Sequence, residues 1–524
     1  MDATAAANIT EGHQVKGPLQ EDVDAIVIGS GCGGAVMAKE LAAAGKKVII
    51  LERGGLYLTE RGDFDQREDD MLARIDGGRG LHTSQNGQFA LTYGNAVGGA
   101  SVHYWADTLR TPQDRLEKWE HEYGVTGHQL GELTPYFERI EKDLNVHLAE
   151  DQRLNTMNVL FEAGCKKAGI AVERVPQARR GCIGSGYCMQ GCAYDAKRSQ
   201  LVTYIPEALG AGARLFADCE VERVVHDGGR ATGVKARFLD RRTTRPTAHS
   251  VELKAKVVIV AAGGFHSAPL LLKSKVPNPS GQLGQNLFCN PCPQLFALFD
   301  QDVTMWRNIP AGVGCSQFRL HRFENGTYVE GGYLLYPNQL QPATLAALLP
   351  GFGRSHRALM ERAHQLGSCI AWIDDTVGGH VTLDSDGNPQ WHRTLEGLDR
   401  LTVRDALKKE ATVLFHAGAT EVIVPDNKGT RLRGLDQVHQ LDGVDLDAGL
   451  LFAVPHPSSM ARMGKDPATS VVDAFNEVHA VKGLFVCDPS VFPTPVSVDP
   501  SETIMAFSYL AAARMLQRWD RYRT

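Results

Sequence analysis

The segment from Asp22 to Glu52 restricts the fold more than any other part of the chain. Asp22–Gly29 (DVDAIVIG) is apolar over most of its length and ends on glycine, as a buried strand does. Gly33–Gly45 (GGAVMAKELAAAG) has helical periodicity and closes on a glycine cap. Lys47–Leu51 (KVIIL) is a second strand, followed at once by Glu52. Together they make one βαβ unit, so an α/β fold with a Rossmann-like domain is expected. Gly29-Ser30-Gly31-Cys32-Gly33-Gly34 fits G-x-G-x-x-G between strand and helix. In that pattern Gly29 permits the tight turn, Gly31 lets backbone approach a pyrophosphate, and Gly34 lets helix and strand pack closely. The helix N-terminus presents unpaired N–H groups to the phosphates. Glu52 stands where a carboxylate can accept hydrogen bonds from an adenosine ribose. The unit predicts a bound dinucleotide but does not separate NAD from FAD.

Further strands of the same layer are expected at Lys256–Ala262 and Leu484–Cys487. Between them, segments from Trp306 to His392 alternate polar and apolar residues, as antiparallel strands covered on one face would. Arg354–Leu366 and Leu401–Ala417 have helical patterns. At 524 residues the chain exceeds one ordinary core. We expect a discontinuous dinucleotide domain (20–115, 196–290 and 450–524). A second domain of antiparallel sheet and helices (116–195 and 291–449) would bind substrate. Residues 1–19 read as a disordered tail, with none of the features of a secretory signal.

The formal net charge of −6 is scattered along the chain and supplies no basic face for nucleic acid. No apolar run is long enough to span a membrane. The expected location is therefore cytoplasmic, or periplasmic by co-export with a partner subunit.

Gly94–Trp105 (GNAVGGASVHYW) resembles the flavin-contacting loop of the glucose–methanol–choline oxidoreductases. The run from His456 to Ala506 (HPSSMARMG, then VVDAFNEVHAVKGLFVCDPSVFPTPVSVDPSETIMA) resembles that family's other defining part. With the N-terminal glycines these segments span nearly the whole chain in the family's order. The resemblance implies FAD, contacted by Gly29, Gly31, Gly34, Glu52, Arg53, Gly98, Gly99, Ser101, His103, Val221, Asp488 and Pro500. Gly98-Gly99 removes side chains where backbone passes a flat ring. Asp488 falls at a strand end, the usual edge for ligand contacts. After Pro500 a helix begins, with Ser501 as cap candidate and its N-terminus facing the flavin. His103 either lines the ring or is covalently attached to it.

The resemblance also makes His456 the catalytic base, removing the hydroxyl proton as hydride leaves carbon for flavin N5; an imidazole suits that role. The second catalytic position in the family carries His or Asn, whereas this chain has Asp499. An ionised carboxylate only accepts hydrogen bonds. It would favour imidazolium at His456, orient the ring, bind a substrate hydroxyl or hold a substrate cation.

Cys182, Cys188 and Cys192 crowd one glycine-rich loop (RRGCIGSGYCMQGCAYDAKRS). Three thiolates are one short of a structural zinc site. The spacing resembles the loop that holds a three-iron four-sulfur cluster in bacterial glucose, fructose and gluconate dehydrogenases of the family. The plainer alternatives are three reduced thiols, or a disulfide with a spare. Cys289 and Cys292 form a separate pair better suited to packing.

The expected activity is oxidation of an alcohol or sugar-like CH–OH donor. Electrons would pass to a non-oxygen acceptor such as a partner protein or small subunit. An oxygen-using oxidase and a redox-silent flavin lyase are the alternatives.

Overall fold

The run Ala25-Ile26-Val27-Ile28 needs cover on both faces, which a central strand of a parallel sheet receives. The computed structural model describes residues 3–78 and 82–522. In it, the larger sheet begins with β1 (Ile9–Glu11), β2 (Leu19–Ile28) and β3 (Val48–Leu51). It continues with β4 (Arg214–Ala217), β5 (Cys219–His226), β6 (Ala231–Leu239) and β7 (Pro246–Val260). Their spatial order is β1-β4-β3-β2-β7-β6-β5. β2 lies between β3 and β7, parallel to both, and Ala25–Ile28 are buried. Helix α1 (Cys32–Ala43) is the crossover from β2 to β3. The far strands β5 and β6 form an antiparallel extension.

The second sheet is antiparallel. It comprises β8 (Gln294–Leu298), β9 (Tyr333–Pro337), β10 (Leu366–Ile373), β11 (Glu421–Ile423) and β12 (Arg431–Leu432), ordered β9-β10-β8-β11-β12. Helices α2 (Thr156–Lys167) and α3 (Gly397–His416) cover one face. The other face carries Leu334, Tyr336, Ile370 and Trp372 against Trp105, Ala453 and Val498. Every residue of β9 and β10 is therefore buried, not every second one as the alternation suggested. The sheet has two covered faces because one of them roofs the site described below. The chain then returns to the first sheet with β13 (Leu484–Val486), parallel to β7, and ends in α4 (Ser501–Gln517), which packs on α1. The helical pattern at Arg354–Leu366 stops at Met360, and Leu366 already opens β10.

The N-terminal segment is ordered where a tail was expected. Ile9–Glu11 adds an edge strand beside β4, in register Ile9 with Leu215; Met1 and Asp2 lie outside the described residues. The tie is electrostatic. Glu11 is buried, with its carboxylate 2.9 Å from Arg61 and 2.7 Å from Arg241, which also grips Asp218 at 2.7 Å. Burial pushes the Glu11 carboxyl up, but Arg61 and Arg241 outweigh it and hold it below the ordinary glutamate value.

Arg241→Ala should thus cost about 2 kcal/mol, less than a wholly buried pair because the arginine is part-exposed, read as a lower urea midpoint at unchanged slope. The folded Glu11 value lies below the unfolded one. Its stabilisation is complete above the ordinary glutamate range and is lost as pH falls through the lowered value. Glu11→Gln should remove that part of the acid dependence.

Candidate active site

At the end of β2 the chain turns through Gly29, and α1 begins after Gly31, which has no side chain to cap the helix. Its first N–H groups are thereby left for an anion. A Cβ on Gly31 would have only Gly99 Cα near it, at 3.8 Å, whereas one on Gly99 would meet Gly31 at 2.7 Å. Two bare backbones therefore pack closely where the dinucleotide turn meets the Gly98-Gly99 loop. Gly34 closes on Gly29 as expected. Gly33 serves the same purpose toward Cys487 beyond β13, a contact invisible before the last strand is placed.

Glu52 faces inward to the turn. Its Oε2 accepts from Ser30 N at 3.0 Å and Ser30 Oγ at 2.7 Å, and its Oε1 accepts from Gly54 N at 2.8 Å. Burial raises its carboxyl above the ordinary value against these donors. Ser30 Oγ in turn accepts from Gly98 N at 2.9 Å. Ser30 thus links the acid to the second loop, a role the glycine pattern does not advertise. Arg53 steadies the approach to that loop, donating to Asn95 Oδ1 at 3.1 Å. Ser101 Oγ donates to Gly98 O at 2.6 Å and accepts from Gln200 N at 2.8 Å.

Val221 sits in β5, opposite Ala236. Asp488, just past β13, accepts from Ser490 N at 2.8 Å, Gly263 N at 3.0 Å and Ser267 Oγ. It therefore ties together the ends of β13 and β7. Pro500, not Ser501, takes the cap position of α4. Ser501 lies inside the first turn, and its Oγ donates to Asp107 O at 3.3 Å. The N-terminus of α4 therefore also lacks a side-chain cap.

His103 is buried, with Nδ1 2.6 Å from Met189 O. A carbonyl only accepts, so Nδ1 carries the proton and Nε2 keeps its lone pair. That Nε2 is buried without a partner among the described residues. Burial holds the ring below the ordinary histidine value, hence neutral. Met189 belongs to the cysteine loop. From the same loop Lys197 Nζ donates to Val102 O at 2.8 Å, Tyr104 O at 3.0 Å and Cys188 O. Burial brings its ammonium down to about 8. The cysteine loop is thus stitched to the Gly98–Tyr104 segment.

Cys182, Cys188 and Cys192 line one small cavity with Arg179 and Lys197. Arg179 Nη1 donates to Cys188 Sγ at 3.3 Å, and Gly184 N to Cys182 Sγ at 3.4 Å. Among the described residues no three His, Cys, Asp or Glu side chains gather as ligands of a single metal ion. Cys289 and Cys292 are buried.

His456 and Asp499 meet under the second sheet, with Nε2 3.4 Å from Asp499 Oδ1. The imidazole stands edge-on to Trp372, ring centroids 5.2 Å apart. Burial raises Asp499 above the ordinary aspartate value and His456 opposes that. Two buried residues were given no role by the sequence: Trp105, which ends the flavin-like loop, and Asp107, just past it. Both carry a buried polar atom with no partner among the described residues. Trp105 packs against Trp372 of the roofing sheet, ring centroids 6.1 Å apart, and the Asp499 charge bears on Asp107.

The residues fit FAD: the bare Gly31 and Gly99 backbones, an uncapped helix N-terminus and a buried His103 Nε2 that has no partner among the described residues. GMC oxidoreductase family profiles match residues 23–292 and 375–508. Long-chain-alcohol oxidase FAO3 of Arabidopsis thaliana is 27% identical, covering 94% of this chain and 67% of its own. Gluconate 2-dehydrogenase flavoprotein of Pantoea cypripedii is 25% identical, covering 97% and 96%. The crystal structure of pyridoxine 4-oxidase from Mesorbium loti superposes with a TM-score of 0.70 at 17% identity, covering 94% of this chain and 99% of that one. With both profiles in place over this site, the chain belongs to the GMC oxidoreductases, FAD-dependent enzymes that act on alcohols and related donors.

Proposed function

We propose that this chain oxidises the CH–OH group of an alcohol or sugar-like donor and passes the electrons to an acceptor other than oxygen. The observation that carries the proposal is the pairing of a half-buried His456 with the buried Asp499 beside Trp372. FAD, when bound, supplies the hydride acceptor. A donor hydroxyl within reach of His456 meets an imidazole able to take its proton. The resulting imidazolium then faces the Asp499 carboxylate, which offsets its charge. Trp372, Tyr336 and Trp105 restrict water around the pair.

The cysteine loop favours a non-oxygen acceptor. We infer that Cys182, Cys188 and Cys192 hold an iron–sulfur cluster, of three irons and four sulfides by resemblance, which would carry single electrons to a partner protein or small subunit. Their shared cavity, the Arg179 and Gly184 donors to sulfur, and the contacts with the segment around His103 support this. An oxygen-using oxidase is the second reading, favoured by the likeness to FAO3.

Three outcomes test the proposal. Ser30→Ala should leave the fold intact but weaken FAD retention roughly tenfold, the effect of about 1.4 kcal/mol, measured by flavin release on dilution. His456→Ala should keep its flavin yet slow anaerobic flavin reduction by an alcohol about a hundred- to ten-thousand-fold; reduction at the unmodified rate removes the base role. Cys188→Ser should strip iron and sulfide from anaerobically purified protein while sparing flavin reduction. Iron-free wild-type protein after cluster reconstitution would return the oxidase to first place.

A further inference from the structure

Asp107 has a role in the reaction centre that neither the glycine motifs nor the His456–Asp499 pair accounts for. It is 1% exposed, and its two oxygens differ in partners. Oδ1 accepts from Gln177 Nε2 at 2.6 Å, whereas Oδ2 is buried with no partner among the described residues. Gln177 is held in turn, since its Oε1 accepts from Arg179 Nε at 2.8 Å. Arg179 spends its other donors on Trp105 O and Cys188 Sγ. The arginine charge is thus one residue removed from Asp107, and the group that touches the carboxyl is a neutral amide.

Asp499 presents the complementary case. Its Oδ1 faces His456 and its Oδ2 is also buried without a partner among the described residues. Asp107 and Asp499 are both buried, and the Asp499 charge bears on Asp107, so the two carboxyls resist ionising together. The histidine offers Asp499 a counter-charge, and nothing equivalent touches Asp107. The proton therefore belongs on Asp107, and on Oδ2, because Oδ1 is already an acceptor.

We propose that Asp107 is a second substrate-facing group of the reaction centre: it stays protonated, and its Oδ2–H donates a hydrogen bond to the oxygen of the donor alcohol. This rests on the reading that His456 and Asp499 face that donor. The proton remains on Asp107 throughout; its function is to orient the alcohol oxygen, while His456 takes the hydroxyl proton. The facing titratable groups agree with this. Burial first, then the Asp499 charge, push Asp107 well above the ordinary aspartate range, with Cys188 adding and Gln177 and Arg179 opposing. Tyr104 and Tyr336 are raised too, both mainly by burial, so they stay neutral. A group raised in this way keeps its proton well above the ordinary aspartate range and gives it up only as pH rises further. It would then lose its donor hydrogen and place a second negative charge beside Asp499, so donor binding should weaken as pH rises.

Asp107→Asn separates this proposal from a role for a carboxylate charge. The amide keeps the shape, can accept from Gln177 and still donates from the Oδ2 position, but it cannot ionise. On FAD-loaded protein, wild-type-minus-D107N infrared difference spectra should contain a protonated-carboxyl band at neutral pH. That band should shift in D2O and vanish at alkaline pH, and D499N should move its loss to lower pH. This measurement needs no substrate. The second arm uses a panel of primary alcohols with a dye acceptor. D107N should lose the alkaline decline in kcat/KM that the wild type shows, and Asp107→Ala should raise KM about tenfold. Absence of the band at every pH overturns the proposal, as does D107N losing as much activity as D107A at equal FAD content. If His456→Ala leaves flavin reduction unchanged, the catalytic assignment fails while the infrared result still decides the state of Asp107.

Discussion

Three hydrogen bonds at Ser30 hold the nucleotide end of this protein together. Its backbone N–H and hydroxyl both reach Glu52, and its oxygen receives the N–H of Gly98. One residue thereby joins the end of β3, the turn after β2 and the Gly98-Gly99 loop. The carboxylate is buried and the partners are short and direct, so the tie is worth more than a surface contact of the same type. The spacing between Gly31 and Gly99 follows from that bridge.

The second organising constraint is the roof. A sheet covered by helices on one face needs nothing further to be stable, yet here the other face is apolar as well. Trp372 and Tyr336 project from it toward Trp105, and His456 stands edge-on to Trp372. The enclosure removes water from around His456, Asp499 and Asp107. That is the physical cause of the raised carboxyl values of Asp107 and Asp499. Desolvation at this place costs stability and is repaid in a charge distribution that water would otherwise screen.

The cysteine loop is a structural brace whatever it binds. Lys197 spans three carbonyls, two in the Val102–Tyr104 segment and one at Cys188, and His103 reaches Met189. Arg179 extends the connection through Gln177 to Asp107. The loop and the reaction centre therefore share a continuous set of hydrogen bonds, so a change of charge at sulfur would be felt at both His103 and the carboxyl pair.

The βαβ unit, the parallel strands at Lys256–Ala262 and Leu484–Cys487, and the long helix before His416 were legible in the chain because their signals are local: periodicity, glycine turns and apolar runs. His456 and Asp499 were singled out by the resemblance of their segment to the GMC oxidoreductases, and the fold brings the two side chains together. What escaped was set by residues far apart. Glu11 is held by Arg61 and Arg241, which no window of sequence joins, so its strand looked like a tail. Gly33 matters because Cys487 arrives hundreds of residues later. β9 and β10 alternate in polarity no better than a loop would, because burial on both faces erases the pattern on which the expectation rested. Asp107 is the sharpest case. An aspartate two residues past a tryptophan carries no signal of its own, and its carboxyl is raised only because the fold buries it and brings the Asp499 charge to bear on it.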